Sequence, residues 1–347
     1  MKLQKKASSV LALAMTTVMF LAGCGAPSAN ETPISSSGST TSTEEPSNAA
    51  VSYDTKYNIS IASGASGGGY YMVGSALSKV IQEQDPNLIC TSESTGGTSE
   101  NISLISSEES TIGMGMADDI VSAYNGERDY EGMPADNLRA ICAGQTNTFQ
   151  IIVLANSDIH SLSDLKGKTV SLGPSGAPYF GPDLLMSTCG YEKDKDYNGQ
   201  YLAHDQAADA LSDGNVDCVI ATLAYPASAY SNLSFTKDVR FISLTDEEQE
   251  KAMNDHPTWV KSTIPTGTYN KQDEDVKTLA IPVWLFTYAD MDEEAIYRVT
   301  KAIYENVPEL GSIYTDAGKY DLSTALEGVS IPIHPGAQKY FDEVKGK

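Results

Sequence analysis

Two glycine-rich stretches carry the densest chemistry in this sequence: Ser63-Gly64-Ala65-Ser66-Gly67-Gly68-Gly69-Tyr70-Tyr71 and Ser94-Thr95-Gly96-Gly97-Thr98-Ser99-Glu100-Asn101. A helix N-terminus presents unpaired N–H groups and the positive end of a dipole, and glycine lets a ligand come close to backbone. The backbone of residues 67–69 and 96–98 is therefore expected to meet an anionic group. The same residues would also serve as plain strand-to-helix turns. Two such turns on neighbouring parallel strands share one carboxyl edge, where open α/β sheets bind ligands, and that favours a site. Residues 64–69 have the spacing of a phosphate loop, but Tyr70 stands where lysine should, so nucleotide binding is not expected. Gly64-Ala65-Ser66-Gly67-Gly68 fits Gly-x-Ser-x-Gly, which makes a serine hydrolase with Ser66 as nucleophile the enzyme alternative. Against it, the motif follows the first strand of its domain, and nothing local marks His256 or His334 as the base.

Asp118-Asp119 follows a third extended segment at the same edge, and Asp118 is the candidate to receive an ammonium group. Helix capping would explain the pair equally well. Tyr70, Tyr71, Tyr179 and Tyr225 lie in or beside loops, as ring walls of ligand pockets commonly do. His160, His204, His256 and His334 are far apart and match no metal-ligand spacing, so no metal and no cofactor is expected. Formal net charge is −23, which argues against nucleic acid as a partner.

The elements that must position these residues follow from periodicity. Residues 57–61 alternate, and Val73, Ala76, Leu77, Val80 and Ile81 then form a helical stripe. Strands are expected at 88–93 and 111–116, each followed by a helix, the first over 98–107 and the second ending near Gly126. A second α/β unit begins with the apolar run 149–155 and continues through strands at 168–172, 216–221 and 239–244. A buried strand at 281–288 and a helix over 292–307 close the pattern. Such alternation predicts α/β architecture with mostly parallel, helix-flanked sheets.

At the other end, Lys2, Lys5 and Lys6 precede an apolar run over residues 10–22, too short to span a bilayer, as in a signal peptide. Leu21-Ala22-Gly23-Cys24 resembles the bacterial lipobox, which implies cleavage after residue 23 and lipid on Cys24. Residues 24–52 are mostly Ser, Thr, Asn, Glu and Pro and read as a disordered tether. Beyond Cys24, four cysteines remain, Cys90, Cys142, Cys189 and Cys218, and their three possible pairings stay open.

Both glycine motifs, with Gly74, Ala123-Tyr124-Asn125-Gly126, Ser161-Leu162-Ser163-Asp164-Leu165-Lys166-Gly167-Lys168, Ala207-Ala208-Asp209-Ala210-Leu211, Ala224-Tyr225-Pro226-Ala227, Ile264-Pro265-Thr266-Gly267-Thr268-Tyr269 and Gln272-Asp273-Glu274-Asp275-Val276, resemble one family in order. It is the TAXI-type solute-binding proteins of tripartite ATP-independent periplasmic (TRAP) transporters. The resemblance implies a two-lobed, type II periplasmic-binding-protein-like fold, with lobe I from residues 53–148 and 240–347 and lobe II from 149–239. It implies a monomer that closes on a small-molecule solute such as glutamate, glutamine or a related dicarboxylate, and hands it to an integral-membrane TRAP permease at the outer face of the cell membrane. It further implies one cleft wall from residues 63–71 and 94–101, and another from Ser175, Gly176, Ala177 and Tyr179 with Thr222 and Tyr225. Three departures concern the solute. Met116-Ala117-Asp118 stands where the family commonly has Gln-Ser-Asp, the loop from Gly173 to Tyr179 is shorter and carries two prolines, and no arginine falls in a matched loop.

Overall fold

The computed structural model describes residues 54–174 and 181–346. The signal segment, Cys24, the tether, Ser175, Gly176, Ala177 and Tyr179 lie outside the described residues.

Alternation of Ile59 and Ile61 with polar neighbours builds β1 (Tyr57–Gly64), and α1 (Gly69–Gln84) buries Val73, Ala76, Leu77, Val80 and Ile81 against it. Two further units repeat the step: β2 (Leu88–Ser94) with α2 (Thr98–Ser106), then β3 (Ile112–Met116) with α3 (Ala117–Asn125). Gly126, at φ 69°, ends α3 in the left-handed conformation. These strands pair in parallel, β1 central between β2 and β3. Gly74 has a packing reason, because a Cβ there would stand 2.8 Å from Ser63 Cβ and 2.7 Å from Ser92 Oγ. The helix can lie this close to its strands only without a side chain.

β4 (Leu138–Leu154) is 17 residues long, against a usual strand of about five or six. Only its second half is apolar enough to be read from sequence; Arg139, Gly144, Gln145, Thr146, Asn147 and Thr148 hide the first. Along that first half it pairs antiparallel with β10, and at Thr148 it changes partner to β7. The second parallel set comprises β5 (Thr169–Ser171), β6 (Asn198–Gln200) and β7 (Cys218–Leu223), crossed by α4 (Gly181–Thr188) and α5 (His204–Ser212). Then come α6 (Ser228–Thr236), β8 (Val239–Phe241), α7 (Asp246–Asp255), β9 (Val260–Ile264) and the long β10 (Val276–Tyr288). α8 (Glu293–Tyr304) starts where Asp292 accepts from the Ala295 N–H at 3.0 Å, and α9 (Val307–Ile313) and α10 (Pro335–Lys345) complete the chain. The helix expected over 292–307 thus stops at Tyr304, and a separate helix begins with Pro308 in its first turn.

All ten strands form one curled sheet in the order β2-β1-β3-β10-β4-β7-β5-β6, with β8 beside β4 and β9 beside β10. Parallel sets stand at both ends, and two antiparallel strands join them. This is a mixed α/β fold of the type II periplasmic-binding-protein kind. Beneath one face of the β1–β3 end lies a core of α1, α8 and α10 side chains, including Leu77, Val299 and Phe341. On the opposite face a single apolar cluster runs from Ile105 and Ile120 through Phe149 and Trp284 to Leu165 and Leu185. It therefore touches both parallel sets. The four cysteines of the described region are free, and burial pushes the thiols of Cys90 and Cys142 up to about 12.

Candidate functional site

The two glycine turns lie at the carboxyl ends of β1 and β2, which the parallel register places side by side, Gly64 opposite Ser94. Their polar groups are largely spent on one another. Ser63 is buried, and its hydroxyl donates to Glu93 O at 2.6 Å beside Ser92 Oγ at 3.0 Å, which clamps β1 to β2. Gly68 N–H donates to Ala65 O at 2.8 Å. In the second turn Glu100 accepts from Gly96 N–H at 2.6 Å, and Thr95 accepts from Gly97 N–H at 3.2 Å and donates to Asn101 at 2.7 Å. Asn101, fully buried, donates to Ser63 O and Met114 O and so locks the turn to β1 and β3. Of the backbone donors expected to meet an anionic group in residues 67–69 and 96–98, Gly68, Gly96 and Gly97 have protein acceptors. Gly97, at φ 104°, holds a conformation that favours glycine, and neither α1 nor α2 carries a capping side chain. Ala65, Ser66, Gly67 and Gly69 are exposed, and Tyr70, Tyr71 and Thr98 are half-buried.

The acidic pair divides. Both Asp118 and Asp119 are buried at the start of α3. Asp118 accepts from Thr258 Oγ1 on one oxygen and from Trp259 Nε1 at 2.7 Å on the other. Those two bonds tie α3 to the segment between α7 and β9, so Asp118 has structural partners where the sequence suggested an ammonium acceptor. Asp119 is 3% exposed, and its Oδ2 has no partner. Burial pushes its carboxyl up to about 7; the charge of Asp118 adds to this and Arg128 opposes it. Around it, Tyr130 Oη and Ser99 Oγ are buried side by side; burial raises the Tyr130 hydroxyl, the Ser99 hydroxyl beside it lowers it and Asp119 raises it. Asn147 donates to Tyr70 Oη at 3.3 Å, and Asp119 adds to the rise that burial imposes on Tyr70.

Strand geometry extends this cluster. Gln145 lies two residues before Asn147, in the stretch between Ala143 and Thr146 where the pairing of β4 with β10 is irregular. Gln145 is 4% exposed, and neither its Nε2 nor its Oε1 has a partner. Trp284 of β10 lies opposite Ala143 in the apolar cluster that crosses both halves, and its Nε1 is also unpartnered. From the other parallel set comes Thr222, opposite Phe149, with a buried, unpartnered Oγ1. Phe149 in turn packs on Trp259 at 4.7 Å between centroids, which leads back to Asp118. Polar atoms from α3, β4, β10 and β7 are thus buried without a hydrogen-bond partner. Unpartnered buried polar groups cost about 1–3 kcal/mol each, so a concentration of them marks a place where the fold expects a partner. Gln145, Tyr130 and Trp284 escaped the sequence reading, which named Asp119 only as half of a pair with Asp118 as the candidate. The double aspartate was the one signal that could have pointed to them.

Tyr225 is half-buried; it donates to Thr263 O at 3.1 Å, and Lys319 stands 5.4 Å from its ring centroid. Ser66 makes no hydrogen bond to any of the four histidines. His334 bonds Met291 O and Gly336 N–H, His256 pairs with Thr188 and stacks on Trp259, His204 pairs with Tyr230, and His160 is exposed. A Ser66 triad is therefore not assembled among the described residues. No group of three or more metal-ligating side chains occurs among them either.

The NMT1-like family matches residues 61–345. Among solved structures, a periplasmic sulfonate-binding protein SsuA from Methylobacillus flagellatus superposes with a TM-score of 0.51 at 14% identity, covering 84% of this chain and 96% of that one. It shares the fold. The aliphatic sulphonate binding protein SsuA of Escherichia coli aligns with a TM-score of 0.45 at 15% identity, over 82% of this chain and 78% of its own. The probable amino-acid ABC transporter extracellular-binding protein ytmK of Bacillus subtilis gives 0.46 at 14%, over 75% and 96%. With its family match spanning nearly the whole described region, this chain belongs to the NMT1-like family.

Proposed function

We propose that the chain is an extracytoplasmic solute receptor: it takes a small molecule into the buried polar face between the two parallel sets and closes over it. The observation that carries this reading is that side-chain atoms of Asp119, Gln145, Trp284 and Thr222, buried without a hydrogen-bond partner, come from strands and a helix at both ends of one sheet. Atoms so deeply enclosed are reachable only if the two ends move apart. β4 and β10, the only strands long enough to run through both ends among those described, are the natural hinge. In this reading residues 53–148 with 240–347 form one lobe and 149–239 the other. The sulfonate-binding protein of Methylobacillus flagellatus, which shares the fold, agrees in kind with such a role.

The finer reading rests on the motif resemblance: a TAXI-type receptor, lipid-anchored through Cys24, serving a TRAP permease. Glutamate, glutamine or a related dicarboxylate is the first solute to try. Among the described residues no helix is long and apolar enough to cross a membrane, so attachment would depend on the N-terminal lipid. A thermal-shift screen of amino acids, dicarboxylates and amides tests the receptor reading, because a ligand at a hundred times its Kd stabilises by about 2.7 kcal/mol. No shift across the panel, together with no co-purified solute by native mass spectrometry, would sink it.

A further inference from the structure

We infer that the solute carries an ammonium group and that Asp119 Oδ2 receives it, which separates this receptor from one for plain dicarboxylates. The inference rests on the receptor reading above. Its basis is the mismatch between the two aspartates: Asp118 has both oxygens occupied by Thr258 and Trp259, whereas Asp119, equally buried, has an oxygen with none. A carboxylate is an acceptor when ionised, so it wants a donor, and a cationic donor repays its desolvation best. The neighbours fit that role. Tyr130 Oη, whose hydroxyl feels the Asp119 charge, and Ser99 Oγ beside it are further buried oxygens that can accept, and an ammonium group has three N–H donors to distribute.

Charge around the site points the same way. Asp118 and Asp129 add negative potential at Asp119; Arg128, which is exposed, is the cation that opposes it; His256, nearby, is kept toward its neutral form by burial. A solute carboxylate pressed against Asp119 would meet like charge. The chain's net charge of −23 also favours approach of a molecule with a positive end. A bare metal ion fits less well, since no set of three ligating side chains gathers there among the described residues.

The test uses the full mature protein and Asp119→Asn, with amino acids paired against their deaminated analogues: glutamate with glutarate and 2-oxoglutarate, glutamine with glutaramate, and further pairs across the common side chains. Isothermal titration should find a wild-type preference of at least tenfold for the amino member of one pair, and D119N should erase that preference. As a second measurement, affinity for the amino member should rise with pH through about 7 as Asp119 ionises. Equal or tighter binding of the deaminated member, or a preference that survives in D119N, overturns the assignment to Asp119 and leaves the receptor reading intact. Absence of binding by every compound, with no co-purified solute, overturns both.

Discussion

Two buried glutamines stand five residues apart on β4, and they live in opposite circumstances. Gln150 accepts from Tyr269 Oη and donates to Leu223 O at 3.2 Å, while Gln145 makes no hydrogen bond at either end of its amide. Asp118 and Asp119 repeat the contrast one helix away. Their places on the strand differ: Gln150 sits where β4 pairs regularly with β7 and meets Tyr269, and Gln145 sits where the pairing of β4 with β10 is irregular. Polar groups with complete partner sets hold the fold together. In the proposed function, Gln145 and Asp119, left open in the protein alone, are the groups that would bond a solute.

Four substitutions would break or sharpen that division. The largest effect is expected from Asp118→Ala, which removes the acceptor for Thr258 and Trp259 and should lower stability by roughly 3 kcal/mol in urea unfolding. Next comes Asp119→Asn. An acid whose folded pKa is raised stabilises least when ionised: relative to the unfolded chain, stability falls as pH climbs from about 4 to about 7. The asparagine variant lacks that slope and should be the more stable protein at pH 8 by on the order of 2 kcal/mol, seen as a higher Tm than wild type there and not at pH 4. Gln150→Leu leaves Tyr269 without its acceptor and should cost about 1–2 kcal/mol. Gln145→Leu should change the stability of the ligand-free protein by less than about 1 kcal/mol, in either direction, yet weaken solute binding at least tenfold. If the two glutamine variants destabilise alike, the contrast has no functional meaning.

Much of the architecture was legible in advance because it depends on local period and turn chemistry. The helix stripe Val73, Ala76, Leu77, Val80, Ile81 and the stop at Gly126 are of this kind. The first half of β4 was not, because its polar residues 144–148 look like loop until a partner strand and an enclosed cleft face are present to use them. At the site, the glycine turns were found, and their place at adjacent strand ends follows from parallel pairing. The capping role of Glu100 on Gly96 is local and follows from the sequence, whereas the bonds of Asn101 to Ser63 and Met114 could be known only once β1, β2 and β3 stood side by side.

Composition and pattern along the chain are enough to establish α/β alternation, the glycine-opened helices and a paired carboxylate at a strand end, since each is a property of neighbours in sequence. Which carboxylate is spent and which is open is a different kind of fact. Asp118 is satisfied from Thr258 and Trp259, some 140 residues away, and Asp119 is left facing groups on other elements. Contacts over that separation leave no local trace, so the identity of the open group emerges only from the packed fold.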